Sequence, residues 1–206
     1  MNSITLDCCH NEGVSKVKDL ELQLERAHMQ LRIFQKISRM MVKAMSLKDV
    51  LAGINALVVE YMRCDSCLLY LLDKDELVLC SSNNPSPNTL GQLRLRMDEG
   101  LTGWVARERR LVAISKEAYS DERFKTFSEL PEDQFEAFLS APIIARNKVV
   151  GVINVQHRKP HVFTGDAMET LTTVGEQVGV LLALAKLENK GAIEDIGTLA
   201  HALASN

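Results

Sequence analysis

The fold is decided by residues 138–156, FLSAPIIARNKVVGVINVQ. Two apolar runs flank the polar residues 146–148, and this pattern predicts two β-strands joined as a hairpin. Gly151 lies inside the second strand, where glycine typically marks a bulge or a close approach of two backbones. Pro142 lies inside the first strand and predicts an edge or a bulge nearby.

Working outward, the hydrophobic pattern predicts a second hairpin and helices at both chain ends. Four further strands are predicted over residues 66–72, 76–80, 93–96 and 111–114. Helices are predicted from Val17, after an N-cap at Ser46, over 100–108 and over 165–188, whereas residues 1–13 show no period. Because hairpins dominate and the long helices cluster at the termini, we expect an α+β fold with a mostly antiparallel sheet.

The first and last helices carry apolar residues that repeat with a spacing of 3, 4, 3, 4. This spacing is typical of helices that pair along a seam. It predicts a parallel homodimer in which first and last helices of two copies pack together. The residues concerned are Val17, Leu20, Leu24, Ala27, Leu31 and Phe34 in the first helix, and Leu171, Val174, Val178, Leu181 and Ala185 in the last.

Composition excludes several classes of protein. The chain has 206 residues, of which 46% are hydrophobic and 25% charged, with a net charge of −3. This is enough apolar material for one folded domain with extensions, and the acidic balance argues against nucleic-acid binding. No apolar stretch is long enough for a membrane span, and the N-terminus lacks the pattern of a secretory signal. Five irregularly spaced cysteines do not make a disulfide framework, so we expect a reducing cytoplasm.

Five segments, in this order, resemble the conserved segments of GAF domains. They are GLTGWVA (100–106), AYSDERF (118–124), FLSAPII (138–144), VVGVINV (149–155) and FTGD (163–166). The stretches 135–139 and 156–158 further resemble the bacterial GAF domain at the N-terminus of nitrogen-type phosphotransferase enzyme I and of nitrogen-fixation activators. The resemblance implies a central antiparallel sheet with N- and C-terminal helices packed on one face. It also implies a GAF domain over residues 46–188, after a tail and dimerisation helix (1–45) and before a C-terminal tail (189–206).

The resemblance implies a ligand cavity between the sheet and residues 93–140. The candidate wall residues are Trp104, Ile114, Phe124, Phe127, Phe138 and Ser140. The alternative is that these side chains fill the space as core. We expect a non-catalytic sensory or regulatory module that binds a small molecule or partner and signals through a helical homodimer. Its ligand, any cofactor and its downstream signalling protein are not identified by the sequence.

Two other functions remain open at this point. One is a GAF enzyme that reduces methionine sulfoxide with Cys64, Cys67 or Cys80; the other is a purely structural dimerisation module. Against the enzyme, Thr102 stands inside the glycine segment and no cysteine follows Cys80. That absence also disfavours a bilin-binding GAF domain. No second cysteine pair accompanies Cys64 and Cys67, so no metal site is expected.

The motif of cyclic-nucleotide GAF domains is not kept. The corresponding positions carry His157-Arg158 and Asp166-Ala167 in place of the Asn-Lys and Asp-Glu pairs. Cyclic GMP and cyclic AMP are therefore disfavoured as ligands, whereas other small molecules are not.

Overall fold

The computed structural model describes residues 5–43, 45–85, 89–124 and 135–188. The chain divides into two compact units, Met1–Arg39 and Met40–Asn206. The first unit consists largely of helix α1 (Thr5–Val42). This helix begins well before Val17, where the apolar period sets in, so residues 5–13 are helical although they show no period. A periodic repeat of apolar residues indicates that one face of a helix is packed. It does not indicate where a helix begins if its first turns lack such a face.

In the described residues of the second unit there are three further α-helices. They are α2 (Leu47–Met62), α3 (Gly100–Glu108) and α4 (Gly165–Glu188), and a short 3₁₀ turn covers Ala118–Ser120. The Ser46 hydroxyl oxygen accepts a hydrogen bond from the backbone N–H of Asp49 at 3.1 Å, which caps α2 as predicted. Thr164 caps α4 in the same way, through the N–H of Ala167 at 3.2 Å.

Across the part of the chain that the structure describes, six strands form one antiparallel sheet. They are β1 (Ser66–Asp73), β2 (Glu76–Ser82), β3 (Arg94–Arg96), β4 (Val112–Ile114), β5 (Ala137–Ala145) and β6 (Lys148–His157). Their order across the sheet is β3-β2-β1-β6-β5-β4, and every neighbouring pair is antiparallel. The α+β architecture and the two hairpins are therefore confirmed.

The two faces of the sheet pack against different helices. Helix α2 packs on β1 and β2, and α4 packs on β5 and β6. Since side chains alternate along a strand, one face directs Leu69, Leu71, Ile143 and Ile153 towards these helices, and all four are fully buried. The opposite face contacts α3, and we call it the α3 face. Its buried apolar residues are Leu68, Tyr70, Leu77, Leu79, Leu95, Leu101, Val105, Phe138 and Val152, among others.

The glycine and proline of the central hairpin lie where the sequence predicts. A Cβ atom on Gly151 would collide with the carbonyl oxygen of Tyr70 on β1 and approach Ile143 Cδ1 to 3.2 Å. Pro142 lies beyond Ser140, the last β5 residue that pairs with β4, and the register shifts just after it, at Ile143/Ile144. Both expectations are confirmed: a close backbone approach at Gly151, and an edge with a bulge near Pro142.

Candidate ligand-binding site

The middle of the α3 face is built from two rows of side chains that cross four strands. Directly paired residues of antiparallel strands lie side by side, about 5 Å apart at Cβ. The first row is Ser66, Gln156, Phe138 and Ile114, and the second is Leu68, Asn154, Ser140 and Val112. The site is therefore an apolar surface interrupted by a few polar side chains, most of them on β6 and β5.

Three buried polar side chains join the second row to helix α3. The Ser140 hydroxyl donates to Asn154 Oδ1 at 2.7 Å, and Asn154 Nδ2 donates to Thr102 Oγ1 at 2.8 Å. None of the three is more than 7% exposed. A buried polar group is costly unless it is hydrogen-bonded, and here the side-chain amide of Asn154 is bonded at both ends. This polar trio fixes α3 over the centre of the sheet.

Gln156 differs from the trio because part of its side chain has no partner. It is 6% exposed, and its Oε1 atom is buried without a hydrogen-bond partner among the described residues. Its neighbours in the row are Ser66 on β1 and Phe138 on β5. An unpaired buried acceptor costs about 1–3 kcal/mol, so such an atom in a native fold asks for an explanation.

An arginine and a tryptophan meet beside this surface. The guanidinium carbon of Arg123 lies 4.7 Å from the centre of the Trp104 ring, which is cation–π geometry. The same guanidinium holds both carboxylate oxygens of Asp121, at 2.9 and 2.8 Å. The hydrogen bond from Arg123 lowers the pKa of Asp121, and the carboxylate in turn raises the pKa of Arg123. A fixed positive group, already paired, therefore covers one face of Trp104.

The structure brings together most of the residues predicted to line a cavity. Trp104, Ile114 and Phe124 are partly buried and pack against the same apolar cluster that contains Phe138. Ser140 is fully buried in the adjoining row. Phe127 lies outside the described residues. That these side chains line a ligand cavity stays a prediction.

Four residues of this site were not predicted from the sequence: Thr102, Asn154, Gln156 and Arg123. A signal for two of them was present, because Asn154 and Gln156 are polar residues two apart in an otherwise apolar strand. That spacing places both side chains on one face.

Cys64, Cys67 and Cys80 are free and buried. Burial raises the pKa of the Cys64 and Cys80 thiols to about 12, and raises that of Cys67 well above its ordinary value. Cys67 alternates with Leu68 and so faces away from the α3 face, towards α2, whose Asn55 donates to the Cys67 carbonyl at 2.9 Å. Thiols held in the neutral form are poor nucleophiles and poor metal ligands.

Within the described residues, no group of three or more His, Cys, Asp or Glu side chains is placed to hold a metal ion. In the same part of the chain, no helix is long and apolar enough to cross a membrane.

Comparison with known proteins identifies the family. The sequence profile of the GAF domain matches residues 44–183, so the chain belongs to the GAF domain family. GAF domains are generally regulatory or sensory modules. The predicted boundaries at 45/46 and 188/189 stay predictions, and the C-terminal tail lies outside the described residues.

The chain is similar to GAF domains of known structure. It is similar to the GAF domain of an Acinetobacter phosphoenolpyruvate-protein phosphotransferase, with 29% identity and a TM-score of 0.69 over 81% of this chain and 98% of that one. The corresponding domain from Coxiella burnetii shares 26% identity, with a TM-score of 0.74 over 81% and 99% of the two chains. The resemblance to phosphotransferase GAF domains is thus confirmed.

The fold alone is also shared with an enzyme. A free methionine-R-sulfoxide reductase from Neisseria meningitidis, solved with its substrate, has 15% identity and a TM-score of 0.65 over 77% of this chain and 91% of that one. No curated protein sequence matches the chain.

Proposed function

We propose that this protein is a non-catalytic sensory module that binds a small molecule on the α3 face. The observation that carries the proposal is the buried, unpaired Oε1 of Gln156 beside the bonded trio of Thr102, Asn154 and Ser140. Two other buried atoms of the described residues, Asn55 Oδ1 and His157 Nε2, also lack a partner, but only Gln156 belongs to the rows of the α3 face. In a binding site, the loss of stability from an unpaired acceptor is offset when the ligand donates the missing hydrogen bond.

The cysteines favour a binding module over a reductase. Reduction of a sulfoxide by thiols needs a nucleophilic thiolate next to the substrate. Cys64, Cys67 and Cys80 are buried, their pKa values are raised, and none belongs to the apolar cluster of the α3 face. Free thiols also fit the proposed cytoplasmic setting.

Similarity to the two phosphotransferase GAF domains supports a regulatory role. Both matches extend over nearly the whole of the compared domain, at 29% and 26% identity. We therefore propose that ligand binding to this chain controls a downstream signalling protein. That protein would be either attached to the GAF domain or docked on it.

Helix α1 supports signalling through a homodimer. Val17, Leu20, Leu24 and Leu31, which repeat at heptad positions, are each more than half exposed in the single chain. Burying one leucine is worth about 1.5–3 kcal/mol, so an exposed seam of this length favours a partner helix. A second copy supplies an identical seam, and we propose a parallel pairing of two α1 helices.

The seam predicted on α4 has a different role. Leu171, Val174 and Val178 are fully buried where α4 packs on β5 and β6, so these three residues are not available to a partner, whereas Leu181 and Ala185 are only partly buried. The alternating spacing of three and four residues reflects the packing of α4 on the sheet. The dimer proposal therefore rests on α1.

The proposal is tested by titrating a metabolite library into ¹⁵N-labelled protein and mapping the amide shifts. A ligand that perturbs Thr102, Trp104, Asn154 and Gln156, and is recovered chemically unchanged, supports the sensory role. If no compound shifts the α3 face, the purely structural dimerisation module is the better account.

A reductant-coupled assay with free methionine sulfoxide tests the enzyme directly. We expect no turnover by the wild type. Turnover that is lost in Cys64→Ser, Cys67→Ser or Cys80→Ser variants would overturn the proposal in favour of the reductase.

A further inference from the structure

We propose that Gln156 is the specificity-determining residue of the site, and that the buried end of the ligand is a neutral hydrogen-bond donor such as a primary amide or a hydroxyl. This inference rests on the proposed function. Its starting point is the buried Gln156 Oε1, which has no hydrogen-bond partner in the part of the chain that the structure describes and which, as an acceptor, only a donor can satisfy.

The cross-strand neighbours of Gln156 disfavour a charged ligand end. The two rows that cross the site consist of Ser66, Gln156, Phe138, Ile114, Leu68, Asn154, Ser140 and Val112, none of which is charged. A carboxylate would meet the acceptor Oε1 and be repelled. An ammonium would be buried with no opposite charge in these rows, at a large desolvation cost.

The polar trio of Thr102, Asn154 and Ser140 cannot take the place of Gln156 in binding the ligand. Both polar atoms of the Asn154 amide are already bonded, to Ser140 and Thr102. Breaking either hydrogen bond in order to bind a ligand would leave a buried polar group unpaired. Arg123 is likewise paired with Asp121, so it is not a ready receptor for an anionic end.

The neighbours of Gln156 also define the shape of the subsite. Ser66 on one side is small, and Phe138 on the other is a flat apolar wall that is 3% exposed. We therefore expect a ligand amide to lie over Gln156, with its N–H directed at Oε1 and its apolar part against Phe138.

The test compares two small probes of equal shape, butyramide and butyrate, in ¹⁵N NMR titrations of the full-length protein. The variant is Gln156→Met, which keeps the chain length but removes the acceptor. Its control is Gln92→Met, the same substitution at an exposed loop position. We expect butyramide to shift the Gln156 side-chain signals, and Gln156→Met to raise its Kd about tenfold or more, while Gln92→Met leaves it unchanged. Butyrate should bind at least about tenfold more weakly than butyramide.

Thermal unfolding of the same proteins gives a readout that needs no ligand. Since Oε1 is unpaired, Gln156→Met should leave the Tm of the free protein unchanged or raise it. A Tm that falls by many degrees would show that the folded chain itself uses this atom, and would overturn the inference. Gln156→Glu provides a second variant, and should reverse the preference in favour of n-butylammonium.

The inference fails if butyrate binds as well as butyramide, if Gln156→Met binds butyramide like the wild type, or if neither probe shifts the α3 face. The sensory role is decided separately, by the library titration, which does not depend on what Gln156 contacts. A library ligand that binds equally well to wild type and Gln156→Met would leave the sensory role standing and overturn this inference alone.

Discussion

The Arg123 guanidinium carbon stacks 4.7 Å above the centre of the Trp104 ring. Trp104 is the only tryptophan in the chain, so intrinsic fluorescence reports on this one contact. Replacing Arg123 with Ala removes the cation from the ring and should change the emission of Trp104. Stability should fall by only about 1 kcal/mol or less, because the arginine is partly exposed.

Arg107→Ala is the matched control for that experiment. Arg107 lies on α3 with Trp104, but its partner is the exposed Glu108 at 2.9 Å. Its removal should leave the emission spectrum unchanged. Equal spectral changes in both variants would show that the emission does not report on the Arg123–Trp104 contact.

Gly151→Val should destabilise the protein, although valine is the better strand former. Its Cβ would collide with the Tyr70 carbonyl oxygen, and moving a central strand is expensive in a close-packed core. We expect a loss of about 1–3 kcal/mol in chemical denaturation. Gly165→Ala is the control, since nothing lies within 4 Å of a Cβ there, at the start of α4. An unchanged midpoint for Gly151→Val would contradict the close approach.

The three buried cysteines should be inert towards thiol reagents in the native protein. Their pKa values are raised, to about 12 for Cys64 and Cys80, so almost no thiolate exists near neutral pH. In a Cys8→Ser/Cys9→Ser background, Ellman's reagent should label no thiol until denaturant is added, and then label all three. Fast native labelling of any of them would reopen the redox interpretation.

Acid should weaken the fold through His157. Its ring stacks on that of His161 with centroids 3.9 Å apart, and its Nε2 is buried without a partner among the described residues. Burial, with the nearby His161, lowers its pKa, while Asp65 acts in the opposite direction. The unfolded chain therefore binds a proton more readily than the folded one, so this contribution to stability is present above about pH 6.5 and is lost as pH falls through the folded pKa.

The change that tests this is His157→Phe, which keeps an aromatic ring against His161 and Phe163. Its free energy of unfolding should depend less on pH between pH 5 and pH 8 than that of the wild type. His28→Phe, on the exposed part of α1, is the control. Parallel pH profiles for wild type and His157→Phe would contradict the assignment.

Much of the second unit could be predicted because its local signals agree with its packing. Ser46 with Asp49 predicted the start of α2, and the bounds of α3 and α4 match the structure. The central hairpin needed no tertiary information, since its two apolar runs pair directly with each other. Such elements can be predicted from sequence because the turn residues, the helix caps and the hydrophobic period all indicate the same structure.

Other features could not be predicted because periodicity does not identify the packing partner. The stripe of Leu171, Val174 and Val178 has the same spacing whether it faces a sheet or a second helix, and only the fold shows that it is buried in its own unit. Asn154 was quoted only as part of an apolar motif, because its bond to Thr102 joins residues 52 positions apart. Long-range polar contacts of this kind leave no local pattern.

Native mass spectrometry of the full chain tests the central claim most directly, because one spectrum reports both assembly and ligand. We predict a species of twice the 23.0 kDa chain mass that carries one or two copies of a single small molecule. Leu20→Glu/Leu24→Glu should halve the assembly without removing the molecule. A bare monomer, with neither a second copy nor a bound molecule, would contradict the account.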